Sequence, residues 1–219
     1  LKTKSLFQIK PYVLPSRLQN LQSTDPTTST SFESGVDVRY GVTPNMTLDL
    51  SYNTDFAQVE GDQEQVNLTQ FQLFFPEKRE FFLEGSTLFD FGESSSRRGG
   101  DIRPPTLLFY SRRVGLGDVQ PIPILLGTKL SGKTSKTSVG LLNVLTESTT
   151  VNNGKIVPSS NFSIVRVKQD ILIRSNIGAI IVNKQTQVPT EGWDTYNRAG
   201  GLDFSVSPSN ALNFQGFYA

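Results

Sequence analysis

Most of this chain consists of stretches in which apolar and polar side chains alternate. Between residues 32 and 42, Asp37 and Arg39 alternate with apolar residues, and the same pattern resumes at Met46 after a short turn at residues 43–45. Alternation with a period of two predicts β-strands, and a short turn between two such strands predicts a β-hairpin. We therefore predict a hairpin here, with one apolar face and one charged face.

Three further hairpins are predicted in the second half of the chain. Their strands cover residues 122–131 and 137–146, then 161–173 and 175–185, then 196–207 and 211–219. Long polar connections are predicted at residues 147–160 and 186–194. Short turns that alternate with long loops are typical of outer-membrane barrels, and strands of about 10 to 12 residues exceed the mode of about 5 to 6 in soluble proteins. We predict an all-β antiparallel up-and-down meander that forms part of an outer-membrane β-barrel.

The alternation by itself leaves two architectures open. A soluble β-sandwich would turn its apolar residues inward, towards a second sheet. A membrane barrel would turn them outward to lipid and would line its lumen with the charged residues of the strands, which include Arg39, Arg166, Lys168 and Asp203.

Composition excludes several classes of function. The net charge is +1 and the basic residues are scattered, which argues against nucleic acid as a partner. The chain contains no cysteine and no histidine, so the usual ligands for zinc, haem and iron–sulfur clusters are missing, and no cofactor is expected. No stretch reaches the roughly 18 to 20 apolar residues of a membrane-spanning helix, although a barrel strand needs only about 9 to 11 residues.

Residues 54–121 follow no clean period and are predicted to be an insertion between strands that acts as a plug or constriction. Within residues 71–85, phenylalanines surround a proline and a cluster of charged side chains. Rings need burial and charges then need partners, so this segment is expected to fold against a wall supplied by the rest of the chain. The candidate residues are Phe74, Phe75, Glu77, Lys78, Arg79, Phe81, Phe82, Glu84, Arg112 and Arg113.

The charges of this insertion suggest ion pairs. The acidic and basic residues of the segment 77–84 are expected to meet the arginine pairs at 97–98 and 112–113, because arginine forms bidentate contacts with carboxylates in partly buried sites. Such pairs would either form a gate that contacts a solute or fix the segment to the wall as a structural plug.

Asp55, Glu60 and Asp62 are candidate ligands for calcium. Carboxylate oxygens are ligands that calcium prefers, but the spacing does not match an EF-hand loop. The alternative is a polar strand or loop that faces water or the lumen. Carboxylates are also the only groups here that suggest acid–base chemistry, so no catalytic residue is proposed and the chain is not expected to be an enzyme.

Aromatic residues collect near the predicted ends of the last strands. Three roles are open to them: an aromatic girdle at a membrane interface, platforms on which sugars stack, or a core. They are Trp193, Tyr196, Phe214, Phe217 and Tyr218.

Several ordered motifs resemble an uncharacterised bacterial family that is common in Bacteroidetes. These motifs are GVDVRYGVTPN followed by TLD, DFAQVE, QVNLT, FFPEKR, FFLEG and FYSRR. Members of that family carry a domain similar to family-nine carbohydrate-binding modules, followed by a predicted outer-membrane β-barrel. The resemblance implies that residues 1–219 are a single, incomplete barrel domain, similar to the first part of the family's barrel. It implies no catalytic residues.

Together these observations predict an outer-membrane β-barrel protein with a plug-like segment, in solute passage or surface handling. Its expected partners are membrane lipid, other envelope proteins and, by analogy with the family's accompanying domain, a glycan. Two alternatives stay open: a non-catalytic scaffold in an envelope complex, and a soluble β-sandwich that binds carbohydrate.

Overall fold

Nearly every regular element of the described chain is a β-strand. The computed structural model describes residues 6–20, 27–54, 76–92, 107–115, 122–150, 156–188, 192–209 and 211–219. Its strands are β1 (Phe7–Asn20), β2 (Thr27–Thr43), β3 (Met46–Tyr52), β4 (Ile124–Thr134), β5 (Thr137–Thr146), β6 (Thr149–Thr150), β7 (Ile156–Val157), β8 (Ser160–Leu172), β9 (Ser175–Val188), β10 (Gly192–Ser209) and β11 (Leu212–Tyr218). The helical elements are one turn, α1 (Glu80–Leu83), and two 3₁₀ turns, Ser86–Phe89 and Ser111–Arg113.

Among the described residues, nine strands form one antiparallel sheet in the order β1-β2-β3-β4-β5-β8-β9-β10-β11. Each strand pairs with its neighbour along the chain, apart from β6 and β7, which form a separate two-stranded ribbon between β5 and β8. The predicted antiparallel meander is therefore confirmed. The sheet is open, because within the described residues β1 and β11 each pair on one side only.

The two ends of the sheet carry different connections. At one end, here the turn end, two-residue turns join consecutive strands at residues 44–45, 135–136 and 173–174, and Ser209 of β10 pairs with Leu212 of β11. The other end, here the loop end, carries residues 53–123 between β3 and β4 and residues 147–159 between β5 and β8. The predicted long connection at residues 186–194 is wrong. Only residues 189–191 separate β9 from β10, because Thr186 still pairs with Thr195 and β-branched residues favour extended pairing.

The first strand was not predicted, because Pro11 and Pro15 interrupt its pattern. In the structure β1 pairs with β2 along its whole length. The Gly41 amide donates a hydrogen bond of 2.8 Å to the Leu6 carbonyl, so even-numbered residues of β1 bond to β2 and odd-numbered residues point to the free edge. Both prolines occupy odd positions, where a missing N–H costs no ladder hydrogen bond.

The two faces of the sheet differ sharply. The covered face carries the buried side chains Asp49, Lys129, Ile164, Arg166 and Asp203. The open face carries exposed apolar side chains on every strand of this sheet. The hydrophobic core lies between the covered face and the non-strand segments, and its buried members are Phe82, Phe89, Phe91, Val114, Ile124, Leu142, Val144, Ile164 and Ile180.

Residues 76–92, here the crossing segment, run across the covered face from one edge strand to the other. Glu80 contacts Lys10 of β1, and Phe91 packs against Phe217 of β11. The segment therefore spans the covered face between the two edge strands of the described sheet.

Candidate functional site

The candidate site is the interface between the covered face, the crossing segment and residues 107–115, here the arginine segment. The chain folds this way locally because Gly85, in the left-handed region with a φ of 67°, separates α1 from the 3₁₀ turn that follows. That reversal turns Phe82 and Phe89 to the same side, where both rings are buried.

At the β1 side, the crossing segment is held by exposed ion pairs. The Lys10 ammonium lies 2.6 Å from the Glu80 carboxylate, and both side chains are largely open to solvent. The hydrogen bond from Lys10 lowers the pKa of the Glu80 carboxyl below its ordinary value, although partial burial opposes this shift. Glu84 pairs with the guanidinium of Arg39 on β2. Water screens contacts of this kind, so they orient the segment more than they stabilise it.

Next to these pairs, a buried lysine binds the backbone of α1. Lys129 of β4 is 1% exposed, and its ammonium donates hydrogen bonds to the carbonyls of Phe81 (2.6 Å) and Glu84 (3.0 Å). It also lies 3.2 Å from the carboxylate of Asp49, which accepts a 2.7 Å hydrogen bond from Arg39. A cation at the carbonyl end of a helical turn meets acceptors that have no partner within the turn.

Glycines of the sheet make room for the rings of the crossing segment. A methyl group added at Gly127 would lie 2.8 Å from the Phe81 ring, and one added at Gly201 would lie 2.5 Å from the Phe91 ring. Both distances are shorter than any ordinary carbon–carbon contact, so only glycine fits beneath these rings. The sheet and the insertion are therefore shaped to each other along the crossing.

At the β10 and β11 side, the crossing segment meets a buried ion pair of the sheet. Arg166 is 0% exposed and donates two hydrogen bonds of 2.6 Å to the two carboxylate oxygens of Asp203. Asp203 also accepts a 3.3 Å hydrogen bond from the Gly92 amide. The Phe91 ring lies between this pair and Phe217, with centroid distances of 5.7 Å to the guanidinium carbon and 5.8 Å to the second ring. This bidentate geometry is the strong form of an arginine–carboxylate contact.

Arg79 joins the crossing segment to the arginine segment. Its guanidinium donates to the backbone carbonyls of Val114 (2.5 Å) and Ser111 (2.6 Å), and it pairs with Glu77 at 2.8 Å. The guanidinium carbon also lies 4.2 Å from the centroid of the Phe82 ring. One buried side chain thus fixes two pieces of the insertion relative to each other.

The same contacts decide the charge state of Glu77. Burial alone would raise the pKa of its carboxyl, but hydrogen bonds from Arg79 and Ser111 and the positive charge of Arg79 outweigh burial. The pKa is consequently lowered, and Glu77 stays ionised at neutral pH.

A cavity of about 120 Å³ lies between the two segments and the sheet. Its wall combines aromatic rings with hydroxyl and charged groups, and it includes Phe82, Phe89, Phe109, Tyr110, Ser111, Asp90 and Lys129. The Phe89 and Phe109 rings meet edge to face at a centroid distance of 6.0 Å. Such a lining suits a small molecule with an apolar face and polar substituents.

The structure brings most of the predicted plug residues together. Glu77, Lys78, Arg79, Phe81, Phe82 and Glu84 lie in the crossing segment, and Arg112 and Arg113 lie in the arginine segment. The partners shown for Glu80 and Glu84 are strand residues, Lys10 and Arg39, rather than the arginine pairs that the sequence suggested. Phe74, Phe75, Arg97 and Arg98 lie outside the described residues.

The calcium hypothesis concerns Asp55, Glu60 and Asp62, which also lie outside the described residues. Within the part of the chain that the structure describes, no group of three acidic side chains is arranged to hold a metal ion.

The predicted aromatic group divides between the two faces. Tyr196, Phe214 and Tyr218 are exposed on the open face, whereas Phe217 lies on the covered face against Phe91. The side chain of Trp193 lies outside the described residues.

Sequence reasoning missed Lys10, Asp49 and Lys129 as contributors to the site. The available signal was Lys129, which interrupts the otherwise uncharged residues 124–132 of β4 at a position that shares its face with Gly127. A charge in such a run requires a partner from elsewhere in the chain.

Comparison with known proteins gives a family and no activity. No helix among the described residues is long and apolar enough to span a membrane. No curated protein and no solved structure matches the chain significantly. A family profile described as a domain of unknown function, DUF5916, matches residues 7–216. The chain therefore belongs to the DUF5916 family.

Proposed function

We propose that this chain forms the wall of an outer-membrane β-barrel in which the crossing segment acts as a plug or constriction for solute passage. One observation carries the proposal: the sheet buries its charges and exposes its apolar side chains. Arg166 and Lys129 are almost fully buried on the covered face, whereas Ile181 is 61% and Leu202 58% exposed on the open face.

Water strongly disfavours this arrangement. Apolar surface costs roughly 25 cal/mol per Å² when it is left in water, and soluble monomers rarely expose contiguous apolar patches above about 300 to 600 Å². Exposed apolar side chains occur here on every strand of the large sheet, from Phe7 on β1 to Phe214 on β11. A bilayer removes that cost, since lipid-facing and lumen-facing residues alternate along the strands of a membrane barrel.

The connections between strands support the same proposal. Bacterial barrels have short turns on the periplasmic side and longer loops on the outside. The turn end would therefore face the periplasm. The insertion, which begins and ends at the loop end, would enter the lumen from outside.

Localisation is tested on the natural gene product in its host cell. We expect it in the outer-membrane fraction, with a folded form that resists detergent and migrates differently on a gel before and after heating. Recovery in the soluble fraction without detergent would refute the proposal and favour the β-sandwich alternative.

Passage is tested with a disulfide between the crossing segment and the wall. A side-chain carbon added at Gly85 would lie 3.3 Å from that of Ser131, just below the range of about 3.5 to 4.5 Å in disulfides. Because Gly85 has a left-handed φ of 67°, the single variant Gly85→Cys measures the strain that a side chain at this position adds. The chain has no other cysteine, so Gly85→Cys with Ser131→Cys yields a single cross-link. We expect the oxidised protein to conduct less in planar bilayers than the reduced protein, with each single variant as control.

The two outcomes of that recording separate the roles of the segment. Restoration of current by a reductant identifies a movable constriction, whereas equal currents identify a static plug. The aromatic and polar lining of the 120 Å³ cavity supports a glycan-related solute, and a monosaccharide added to the same recordings would then reduce the current.

A second candidate is a non-catalytic scaffold in an envelope complex. The observation that favours it is the sequence of the edge strand β11, LNFQGFY, which contains no charge and no proline and so would not hinder pairing with a further strand, whether from this chain or from a partner. Absence of any conductance, together with stoichiometric co-purification of other envelope proteins in mild detergent, would select this role.

A further inference from the structure

The open face has an internal pattern that the register of the sheet reveals. Residues that pair across consecutive strands form rows perpendicular to the strands. One row begins with apolar residues and ends with polar ones, in the order Ile9, Val38, Leu50, Thr128, Asn143, Ser163, Asn183, Arg198. The next row towards the turn end stays apolar or small throughout, in the order Phe7, Tyr40, Leu48, Leu130, Leu141, Val165, Ile181, Gly200.

The polar part of the first row is tied together by side-chain hydrogen bonds. Asn143 donates to Ser163 at 2.8 Å, and Arg198 donates to Asn183 at 3.0 Å. These residues therefore form a lateral polar border on β5 to β10. On β1 and β2 the same row is apolar. Exposed apolar residues continue from that row towards the loop end, as far as Val13 on β1 and Phe32 on β2.

Together these rows outline an uncharged belt that shifts along the strands. None of its open-face residues is Asp, Glu, Lys or Arg. By strand, the belt covers residues 7–15, 32–40, 46–52, 126–132, 139–141, 165–167, 177–181, 200–206 and 214–218. Its middle lies at Pro11 on β1 and at Gly216 on β11, so the middle of the belt at β11 is closer to the turn end than at β1.

The displacement of the belt along the strands defines the angle at which the belt crosses the rows. The positions of Pro11 and Gly216 are about four rows apart, which corresponds to about 26 Å along the strands, and eight strand spacings cover about 38 Å. The belt therefore crosses the rows at about 35°. Strands of membrane barrels are tilted by about 35 to 45° from the barrel axis. A lipid layer perpendicular to that axis would therefore cross the rows at the same angle, about 35 to 45°.

We infer that the acyl chains of a bilayer contact the open face along this oblique belt, and that the Asn143 to Arg198 border lies at the membrane surface on the loop side. The inference deepens the proposed function and rests on it. A lipid partner fits because the belt lacks charge along its whole length and continues over all nine strands. If a second protein sheet covered the open face instead of lipid, nothing would require the angle of the belt to equal the tilt of barrel strands.

The test uses residues of one row for which the inference predicts opposite results. Leu50→Cys lies inside the belt and Asn183→Cys lies at its border, although both occupy the same row; Ile181→Cys, two residues from Asn183, is the positive control. Each variant of the full chain carries an environment-sensitive fluorophore and is inserted into phosphatidylcholine vesicles with or without brominated acyl chains. Unchanged heat-modifiable migration shows that each variant is folded.

We expect brominated lipid to remove most of the emission at positions 50 and 181 and little at position 183. Equal quenching at positions 50 and 183 would overturn the oblique belt while leaving a membrane location intact. Insertion with no quenching at any position, combined with protection from a water-soluble quencher, would replace lipid by a protein partner. Failure to insert into vesicles would contradict the proposed function itself.

Discussion

At the scale of single residues, Arg166 and Asp203 form a buried ion pair within the sheet, and the Gly92 amide of the crossing segment donates a hydrogen bond to Asp203. We predict that Asp203→Ala destabilises the fold by about 3 to 5 kcal/mol, because it leaves a buried guanidinium without its carboxylate and removes the acceptor of the Gly92 amide. Chemical unfolding in detergent measures the change.

The matched control is Asp170→Ala. Asp170 pairs with Lys133 at 2.5 Å, but both side chains are substantially exposed. Pairs of this kind contribute about 0 to 1 kcal/mol. Equal losses in the two variants would contradict the assignment of Arg166 and Asp203 as a structural anchor.

Adjacent glycines on β10 supply a second comparison at this scale. A methyl group at Gly201 would meet the Phe91 ring at 2.5 Å, whereas one at Gly200 would have its nearest neighbour at 3.4 Å, on the other face. We predict that Gly201→Ala lowers the free energy of unfolding by about 1 to 3 kcal/mol through overpacking, and that Gly200→Ala changes it little. A tolerated Gly201→Ala would mean that the ring does not pack closely on the strand.

At the scale of elements, the attachment of the crossing segment to the arginine segment should depend on pH. The pKa of Glu77 is lowered in the folded protein, so the ionised carboxylate stabilises the fold. This stabilisation is complete above the pKa of an unfolded glutamate and is lost as the pH falls through the folded value. We predict that stability decreases on acidification within that window, and that Glu77→Gln is less stable at neutral pH and less sensitive to acid.

Glu80→Gln is the control for this titration. Glu80 also has a lowered pKa, but its carboxylate is mostly exposed and its pairing with Lys10 is screened by water and salt. We expect its stability profile against pH to follow that of the natural protein. A profile for Glu77→Gln that coincides with the natural one would show that Glu77 and Arg79 do not hold the segments together.

At the scale of the whole molecule, the proposed membrane location makes an outward-facing charge costly. Leu202 is 58% exposed and lies near the middle of the uncharged belt, and a charge at an exposed site of a water-soluble protein changes stability by only a few tenths of a kcal/mol. In a bilayer, arginine near the midplane costs about 2 to 4 kcal/mol. We predict that Leu202→Arg reduces the amount of folded protein in the membrane fraction, whereas Asn183→Arg at the polar border leaves it unchanged.

Much of the fold follows from local pattern. Alternation predicted eight of the nine strands of the large sheet and their order as a meander, because each strand pairs with its neighbour along the chain. It did not predict β1, since Pro11 and Pro15 are incompatible with a central strand and are tolerated here at a free edge. The alternation also did not predict that β9 and β10 extend towards each other, because residues there such as Thr186 and Thr195 are polar although they are β-branched.

Less of the candidate site than of the fold could be predicted from the sequence. Clustering of rings and charges predicted that residues 71–85 contribute to a buried contact, and Arg79 with Phe82 lies in one. The identity of the partners did not follow, because Lys10, Arg39 and Asp203 come from strands distant along the chain and are selected by sheet register.

The sequence by itself determined the all-β meander and the existence of two chemically different faces, because both follow from a period of two and from short turns. Only the tertiary structure decided which face is covered. Packing the aromatic crossing segment over Gly127 and Gly201 removes the charged face from water and leaves the apolar face exposed. The physical reason is that alternation is symmetrical between the two faces, and only contacts between distant parts of the chain break that symmetry.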